Sequence, residues 1–303
     1  ALTAEQLGIS HYFFPMDELF EREVVRPFAE EYARGRTPNP CVLCNERLKL
    51  GALTARALEL GAEAVATGHH ARVLRGTDGG PLLARSEGGF KDQSYFLYRI
   101  TRETLLRLRL PLGGLRKDDV RRLATEEGLP AADRPESQDV CFLPRDGLRG
   151  FLSRRAPIAV RPGPIVDRDG RVLGEHGGIG LYTLGQRSGL GLSRPRPTYV
   201  VALDPARNAV VVGEEEDLYS RSLSAGRTHW ISAEPPGRFS ARAKVRSTAP
   251  AADCVVSRDG ANLRVEFSKP QRAVCPGQSV VFYDGDVVLG GATIESAGAQ
   301  APS

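Results

Sequence analysis

The sequence holds 303 residues, 41% of them hydrophobic, with a formal net charge of +4. A chain of this size buries a real core and suggests two or three domains. Its apolar runs fall short of the roughly 18 to 20 residues of a membrane span, and no basic stretch with an apolar run and cleavage site opens it, which points to the cytoplasm. Five cysteines, Cys41, Cys44, Cys141, Cys254 and Cys275, are odd in number and sparse, which argues against a secreted disulfide scaffold and for reduced thiols, some reactive. Lysine occurs only at positions 49, 91, 117, 244 and 269, so arginine carries the positive charge. That suits phosphate and base edges, and a coding bias of the source genome gives the same composition.

The chain starts on Ala1 rather than methionine, and "ALTAEQLGI" reads as the end of a helix closed by Gly8, so a preceding segment is expected. Residues 1–144 alternate short apolar runs with helical patterns, the grammar of a parallel α/β sheet. "HYFFPM", from His11, reads as a strand. Asp17 can cap a helix in which Phe20, Val24, Phe28 and Tyr32 recur every four residues, with Pro27 starting a new helix or kinking it. "GRTPNPCVLCNERLKLGAL" sets Cys41 and Cys44 three apart between a proline-rich turn and a helix that Gly61 can end. "AEAVATGHH" runs a short strand into Gly68, His69 and His70, the kind of strand end where α/β sheets hold ligands. Residues 116–128 read as a further helix, and "PESQDVCFLP" as a loop entering a short strand that carries Cys141.

Beyond residue 145 glycine and proline become frequent, and alternating runs meet at Asp169-Gly170, Asp259-Gly260 and Asp284-Gly285, which are hairpin signals. A small linking domain over 145–215, a compact barrel or sandwich over 216–296 and a tail over 297–303 follow from that change.

Three chemistries are open for the first cysteines. Cys41 and Cys44 could form half a zinc or iron-sulfur site with Cys141 as third ligand, or a redox pair. Alternatively Cys44, at a helix start, is a thiol of lowered pKa. The bland reading for each cysteine is an inert packed side chain, and alternation assigns that to Cys254 and Cys275. His69 and His70 can bind phosphate or a base, or simply occupy an exposed turn. Lys91, Asp92 and Gln93 could read a base edge, while Tyr95, Phe96, Leu97 and Tyr98 read as core. "YTLGQRSGLGL" is a flexible cationic loop that fits neither a Walker loop nor a dinucleotide fingerprint. The sequence has no Gly-Lys dipeptide, and none of its Gly-Gly pairs is followed by x-Asp-Ser, so it shows no ATP cradle.

Taken together, "GRTPNPCVLCN", "ATGHHAR", "KDQSYFLY", "PESQDVCFLP", "GIGLYTLGQRSGLGL" followed by "YVVALD", and "PGQSVVFYDGDVVLGG" resemble, in order and spacing, the bacterial tRNA-specific 2-thiouridylases (MnmA type) and their mitochondrial relatives. The resemblance covers essentially the whole chain. It implies an α/β fold: a PP-loop, adenine-nucleotide α-hydrolase-like domain, truncated at its N-terminus, then a small central domain and a C-terminal β-barrel. It implies that ATP, with Mg2+, adenylates the C2 oxygen of the wobble uridine in the tRNA anticodon, and that persulfide sulfur replaces that oxygen.

By the same resemblance Cys141 carries the persulfide, delivered by a sulfur carrier or cysteine desulfurase, and Cys44 is the second nucleophile, leaving a transient Cys44–Cys141 disulfide. Asn39, Pro40 and Cys41 match target-base contacts, as do Lys91, Asp92 and Gln93. His69, Gln278, Arg246 and Ser247 match tRNA contacts, and Gly68 a nucleotide-binding glycine. A monomer is implied when the chain is complete. Many relatives carry aspartate at position 41, which sets Cys41 apart from the essential chemistry. The family opens with an S-G-G-x-D-S loop around the ATP phosphates, absent here, so this chain alone is expected not to thiolate tRNA and to leave a sheet edge or apolar face exposed. The rival expectation is a non-catalytic RNA-binding module with a three-cysteine iron-sulfur or zinc site.

Overall fold

The computed structural model describes residues 2–88, 91–130, 132, 140–193 and 195–298. After a short helix, Leu2–Gln6, residues 11–16 lie outside any element, where a strand was expected. A strand exists only through a ladder partner, and here Tyr12 and Phe13 are 67% and 81% exposed. Asp17–Phe20, a π-helical stretch Glu21–Val25 and Arg26–Ala33 then run on without a break. Pro27 therefore does not begin a new helix; the wider π turn immediately precedes it, where a proline lacks its N–H and its ring crowds the carbonyl four residues back. Met16 rather than Asp17 occupies the N-cap.

A second continuous helix joins Pro40–Leu43, the π-helical Cys44–Ala52 and Leu53–Glu59, and ends where Gly61 takes φ +88°. Four strands follow in the first domain: β1 (Val65–Ala66), β2 (Ala71–Arg75), β3 (Pro81–Arg85) and β4 (Leu108–Arg109). Only β1 and β4 pair in parallel, so among the described residues the expected parallel sheet is a two-stranded remnant. The hairpin β2–β3 turns away from it and joins the C-terminal sheet. Helix Lys117–Glu126 forms where its pattern predicts.

The central domain is a four-stranded sheet of β5 (Gly163–Val166), β6 (Val172–His176), β7 (Tyr199–Asp204) and β8 (Ala209–Gly213), ordered β6-β5-β8-β7. His176, 1% exposed, pins its end: Nε2 meets the Asn208 carbonyl at 2.9 Å and Nδ1 accepts from Gly178 N–H at 3.0 Å. Both nitrogens are satisfied only by the neutral ring.

The last domain is a six-stranded antiparallel barrel of β9 (Tyr219–Trp230), β10 (Phe239–Lys244), β11 (Ala252–Asp259), β12 (Asn262–Arg272), β13 (Ser279–Asp284) and β14 (Val287–Ala297), closed by the β13–β14 pair. Alternation drives it: Leu263, Val265 and Phe267 of β12 point into the core while Arg264, Glu266 and Ser268 face outward. Asp259-Gly260 and Asp284-Gly285 make the predicted hairpins, each glycine at positive φ.

The barrel also grips the first domain. β3 docks on β14 at Ala84 opposite Val287, and Arg85 N–H donates to Asp286 O at 2.9 Å. The loop before the second helix is strapped down twice. Thr37 N–H donates to Pro276 O and Gln278 Nε2 to Thr37 O, both at 2.9 Å. The Arg36 guanidinium sits 2.7 Å from Glu31 on the first helix, reaches Glu295 on β14, and donates to Ile294 O at 3.0 Å. Burial works against the Arg36 charge, yet Glu295 and Glu31 outweigh it and raise its pKa. Gly277 makes the approach possible: at φ +93°, a Cβ there would sit 3.0 Å from Thr37 backbone atoms.

Two outcomes are expected. Gly277→Ala lowers the thermal midpoint by a few degrees, corresponding to about 1–2 kcal/mol, because it adds both strain and a clash; differential scanning calorimetry measures it. Burial holds the His176 pKa below its ordinary 6.5. The unfolded chain then binds the extra proton first, so stability is lost as pH falls through about 6.5 toward the folded value. Urea midpoints between pH 7.5 and 5.5 should fall, and less steeply in His176→Gln.

Candidate active site

Asn39 caps the second helix, its Oδ1 accepting from Cys41 N–H at 3.2 Å, and Pro40 fills the first helical position, where no N–H is needed. Cys44 lies a full turn further in. Its own N–H already bonds the carbonyls of Pro40 and Cys41, and the helix dipole acts mainly on the first turn. The expectation of a lowered Cys44 pKa is therefore overturned: burial pushes the thiol up, Lys49 pulls it down less strongly, and Cys141 and Cys41 add to the rise. Cys41 is likewise raised by burial and Cys141 and lowered by Lys49.

Cys141 occupies a turn rather than the expected strand. Leu143 N–H closes back on Val140 O at 3.1 Å, and the Phe142 ring is driven into an aromatic cluster, 5.5 Å from Phe20 and 5.1 Å from Phe28, leaving Cys141 exposed. Its neighbours Ser137, Gln138 and Asp139 lie outside the described residues. Because Cys141 acts on both Cys41 and Cys44, the three thiols share one electrostatic neighbourhood. All five cysteines are free thiols, and among the described residues no three His, Cys, Asp or Glu side chains converge to hold a metal ion. Cys254 and Cys275 are packed as alternation predicts, with burial pushing their thiols up to about 12 and about 11.

The segment after the "ATGHH" turn braces the other side of the cysteine helix. Buried Asn45 donates from Nδ2 to Phe96 O at 3.2 Å, and Glu46 meets Arg99 Nε at 2.8 Å. Tyr95, Leu97 and Tyr98 are fully buried, as core rather than stacking surface. Sequence reasoning singled out none of Asn45, Glu46 or Arg99; the only signal was two polar residues directly after Cys44.

Gln93 ties the two histidines together: its Oε1 accepts from His70 N–H at 3.0 Å and lies 3.3 Å from His69 Nδ1. Burial, then the charge of Lys49, hold the His69 pKa below its ordinary value, with Gln93 opposing, so the ring is neutral at pH 7. Asp92 faces inward. Its Oδ1 accepts from Ser94 N–H at 3.1 Å and Ser86 N–H at 3.3 Å, while Oδ2 lies 3.4 Å from Arg85 Nε and 4.0 Å from Lys244 Nζ of the barrel, its side chain 3% exposed. Burial lowers the Lys244 pKa and Asp92 offsets part of that. The trio thus divides: Lys91 is exposed, Gln93 serves the histidines, and Asp92 joins two domains.

Gly68 follows β1 with only Leu112 Cδ1 near a would-be Cβ, at 3.6 Å, so packing does not demand glycine there. Gln278 spends its amide on the Thr37 carbonyl. Arg246 and Ser247 lie half-buried in the turn after β10, where the Arg246 charge lowers the Cys275 pKa against burial.

The family described as "tRNA methyl transferase HUP domain" matches residues 1–145, the "tRNA methyl transferase PRC-barrel domain" residues 149–214 and the "Aminomethyltransferase beta-barrel domain" residues 220–294. Those matches define a three-domain protein of HUP, PRC-barrel and β-barrel units. The chain is 49% identical over 301 residues to the tRNA-specific 2-thiouridylase MnmA of Symbiobacterium thermophilum, covering 97% of the chain and 77% of that protein. It is 48% identical over 297 residues to the proteins of that name from Moorella thermoacetica and Carboxydothermus hydrogenoformans, again over 97% of the chain, and over 83% and 81% of theirs. The chain belongs to the tRNA-specific 2-thiouridylase family.

Asp92→Asn should be costly out of proportion to its size, since it leaves buried Lys244 and half-buried Arg85 without a counter-charge. A loss of about 3–5 kcal/mol is expected in urea unfolding. An unchanged midpoint would show that the carboxylate does not join the domains.

Proposed function

We propose that this chain carries out the sulfur-transfer chemistry of tRNA 2-thiolation, with Cys141 as persulfide carrier, Cys44 as resolving nucleophile and the wobble uridine of the anticodon as acceptor. A uridine C2 oxygen leaves poorly, so it is first adenylated by the substrate ATP with loss of pyrophosphate. The terminal sulfur of the Cys141 persulfide then attacks C2, and AMP departs with the oxygen. The Cys44 thiolate attacks Cys141 Sγ; the S–S bond breaks, and its electron pair stays on the sulfur bound to C2, which becomes the thiocarbonyl. A Cys44–Cys141 disulfide remains for an external thiol reductant.

The observation that carries this reading is the shared electrostatic neighbourhood of Cys41, Cys44 and Cys141 on a chain of this family. Asn39, Pro40 and Cys41 at the start of the cysteine helix, and Lys91, Asp92 and Gln93, are assigned to the unstacked base, with neutral His69 beside Gln93 as a further tRNA contact. Splaying a base out of a loop is the usual mode of single-stranded RNA recognition. Gln278, Arg246 and Ser247 extend the tRNA surface onto the barrel, and Gly68 contributes to the nucleotide side. The persulfide comes from a cysteine desulfurase or a sulfur carrier. No helix of the described residues is long and apolar enough to cross a membrane, and a cytoplasmic monomer fits this reading.

Loading the chain with a cysteine desulfurase and cysteine, followed by peptide mass spectrometry, tests the assignment. Cys141→Ser should carry no added sulfur. Cys44→Ser should keep it yet form no disulfide with Cys141 on mild oxidation, and Cys41→Ser should do both within about tenfold of the parent rate. Sulfur loaded on Cys44 in place of Cys141 would reverse the two roles.

A further inference from the structure

Burial raises the pKa of Cys44, yet the reaction needs a thiolate there, and the cysteine helix holds a compensating group. From Cys44 to Ala52 the helix is π-helical, and Leu53 N–H bonds Leu48 O, five residues back. In an α-helix a residue five positions on points away, about 140° round the axis. The wider π turn brings it back toward the same face, and position 44 + 5 is Lys49. The Lys49 charge acts on Cys41, Cys44 and His69, three groups from two separate segments. The groups acting on Cys44 are Lys49, Cys141 and Cys41. The neighbouring carboxylate of the same helix, Glu46, is engaged by Arg99 and Arg47 at 2.8 and 3.3 Å. Lys49 itself is exposed, and among the described residues it has no carboxylate partner that would neutralise it.

We propose that Lys49 is the positioning cation of the thiol site: the π-helical segment brings its ammonium onto the Cys44 face, where it stabilises the Cys44 thiolate and the negative charge that passes along the sulfur chain to the departing thiocarbonyl. No proton leaves Lys49; it acts as a fixed charge throughout. This rests on Cys44 being the resolving nucleophile, but the test needs neither tRNA nor turnover. A Lys49 effect on Cys44 alongside a Cys44→Ser protein that still resolves the persulfide would sink the functional assignment and leave this one standing.

The probes are iodoacetamide, which is neutral, and iodoacetate, which is an anion, with alkylation of Cys44 followed by tandem mass spectrometry in Cys41→Ser protein. Lys49→Met is expected to slow iodoacetamide at pH 7.5 about three- to tenfold, to shift the midpoint of the pH–rate curve upward, and to abolish any preference for iodoacetate. Lys49→Arg, which keeps the charge, should stay near the parent. In the parent, about 1 M KCl should erase the iodoacetate preference, since screening then reaches within about 3 Å. Parent-like rates in Lys49→Met, equal losses in both variants, or a salt-independent preference in the parent would each overturn the proposal. Buried Cys254 and Cys275 report folding in the same spectra; if Lys49→Met exposes them, the salt series on the parent decides.

Discussion

Everything at the thiol site depends on four residues, 36–39, being held against the barrel. Asn39 and Pro40 set where the cysteine helix begins, and that start fixes the direction in which Cys41, Cys44 and Lys49 project. Yet the loop has almost no structure of its own. It is located by Thr37, which exchanges hydrogen bonds with Pro276 and Gln278, and by Arg36, which bridges Glu31 and Glu295. Buried ion pairs contribute little net stability, but they tolerate only one geometry. The cysteine helix is therefore registered by the domain furthest from it in sequence, while Asn45 and Glu46 brace its other side.

The site also shows how local electrostatics resolve a conflict. Partial burial of Cys44 disfavours its charged thiolate, while Cys141 stays open to solvent. Helix position does not help Cys44, whose amide is already bonded. What remains is side-chain charge, and the nearby carboxylate Glu46 is held by arginines. Neutral His69 fits the same pattern, since burial and the Lys49 charge both disfavour a second cation beside it.

Features set by neighbours in sequence were legible from it: the alternation of β12, the Asp-Gly hairpins, the Gly61 stop, the buried Tyr95 and Tyr98, and the motif strings that named the family. Features set by distant partners were not. A hairpin such as β2–β3 reads alike whichever sheet it joins, so its pairing with β14 was invisible. The π-helical segments leave no mark in a 3.6-residue pattern, which hid the approach of Lys49 to Cys44. The approach of Asp92 to Lys244, about 150 positions on, left no mark in the sequence. The apolar flanks of Cys141 suggest a strand, but Val140, Phe142 and Leu143 all pack inward from a turn and leave Cys141 outside.

The docking of β3 on β14 has a consequence for how the molecule is made. Ala84 and Val287 are separated by about 200 residues, and closing so long a loop is slow even where its equilibrium cost grows only gently. During synthesis the hairpin leaves the ribosome long before its partner exists. Until the final strand arrives, the first domain has an open edge and a loop with nothing to fasten it, so the order of translation leaves the cysteine helix as one of the last parts of the molecule to reach its final place.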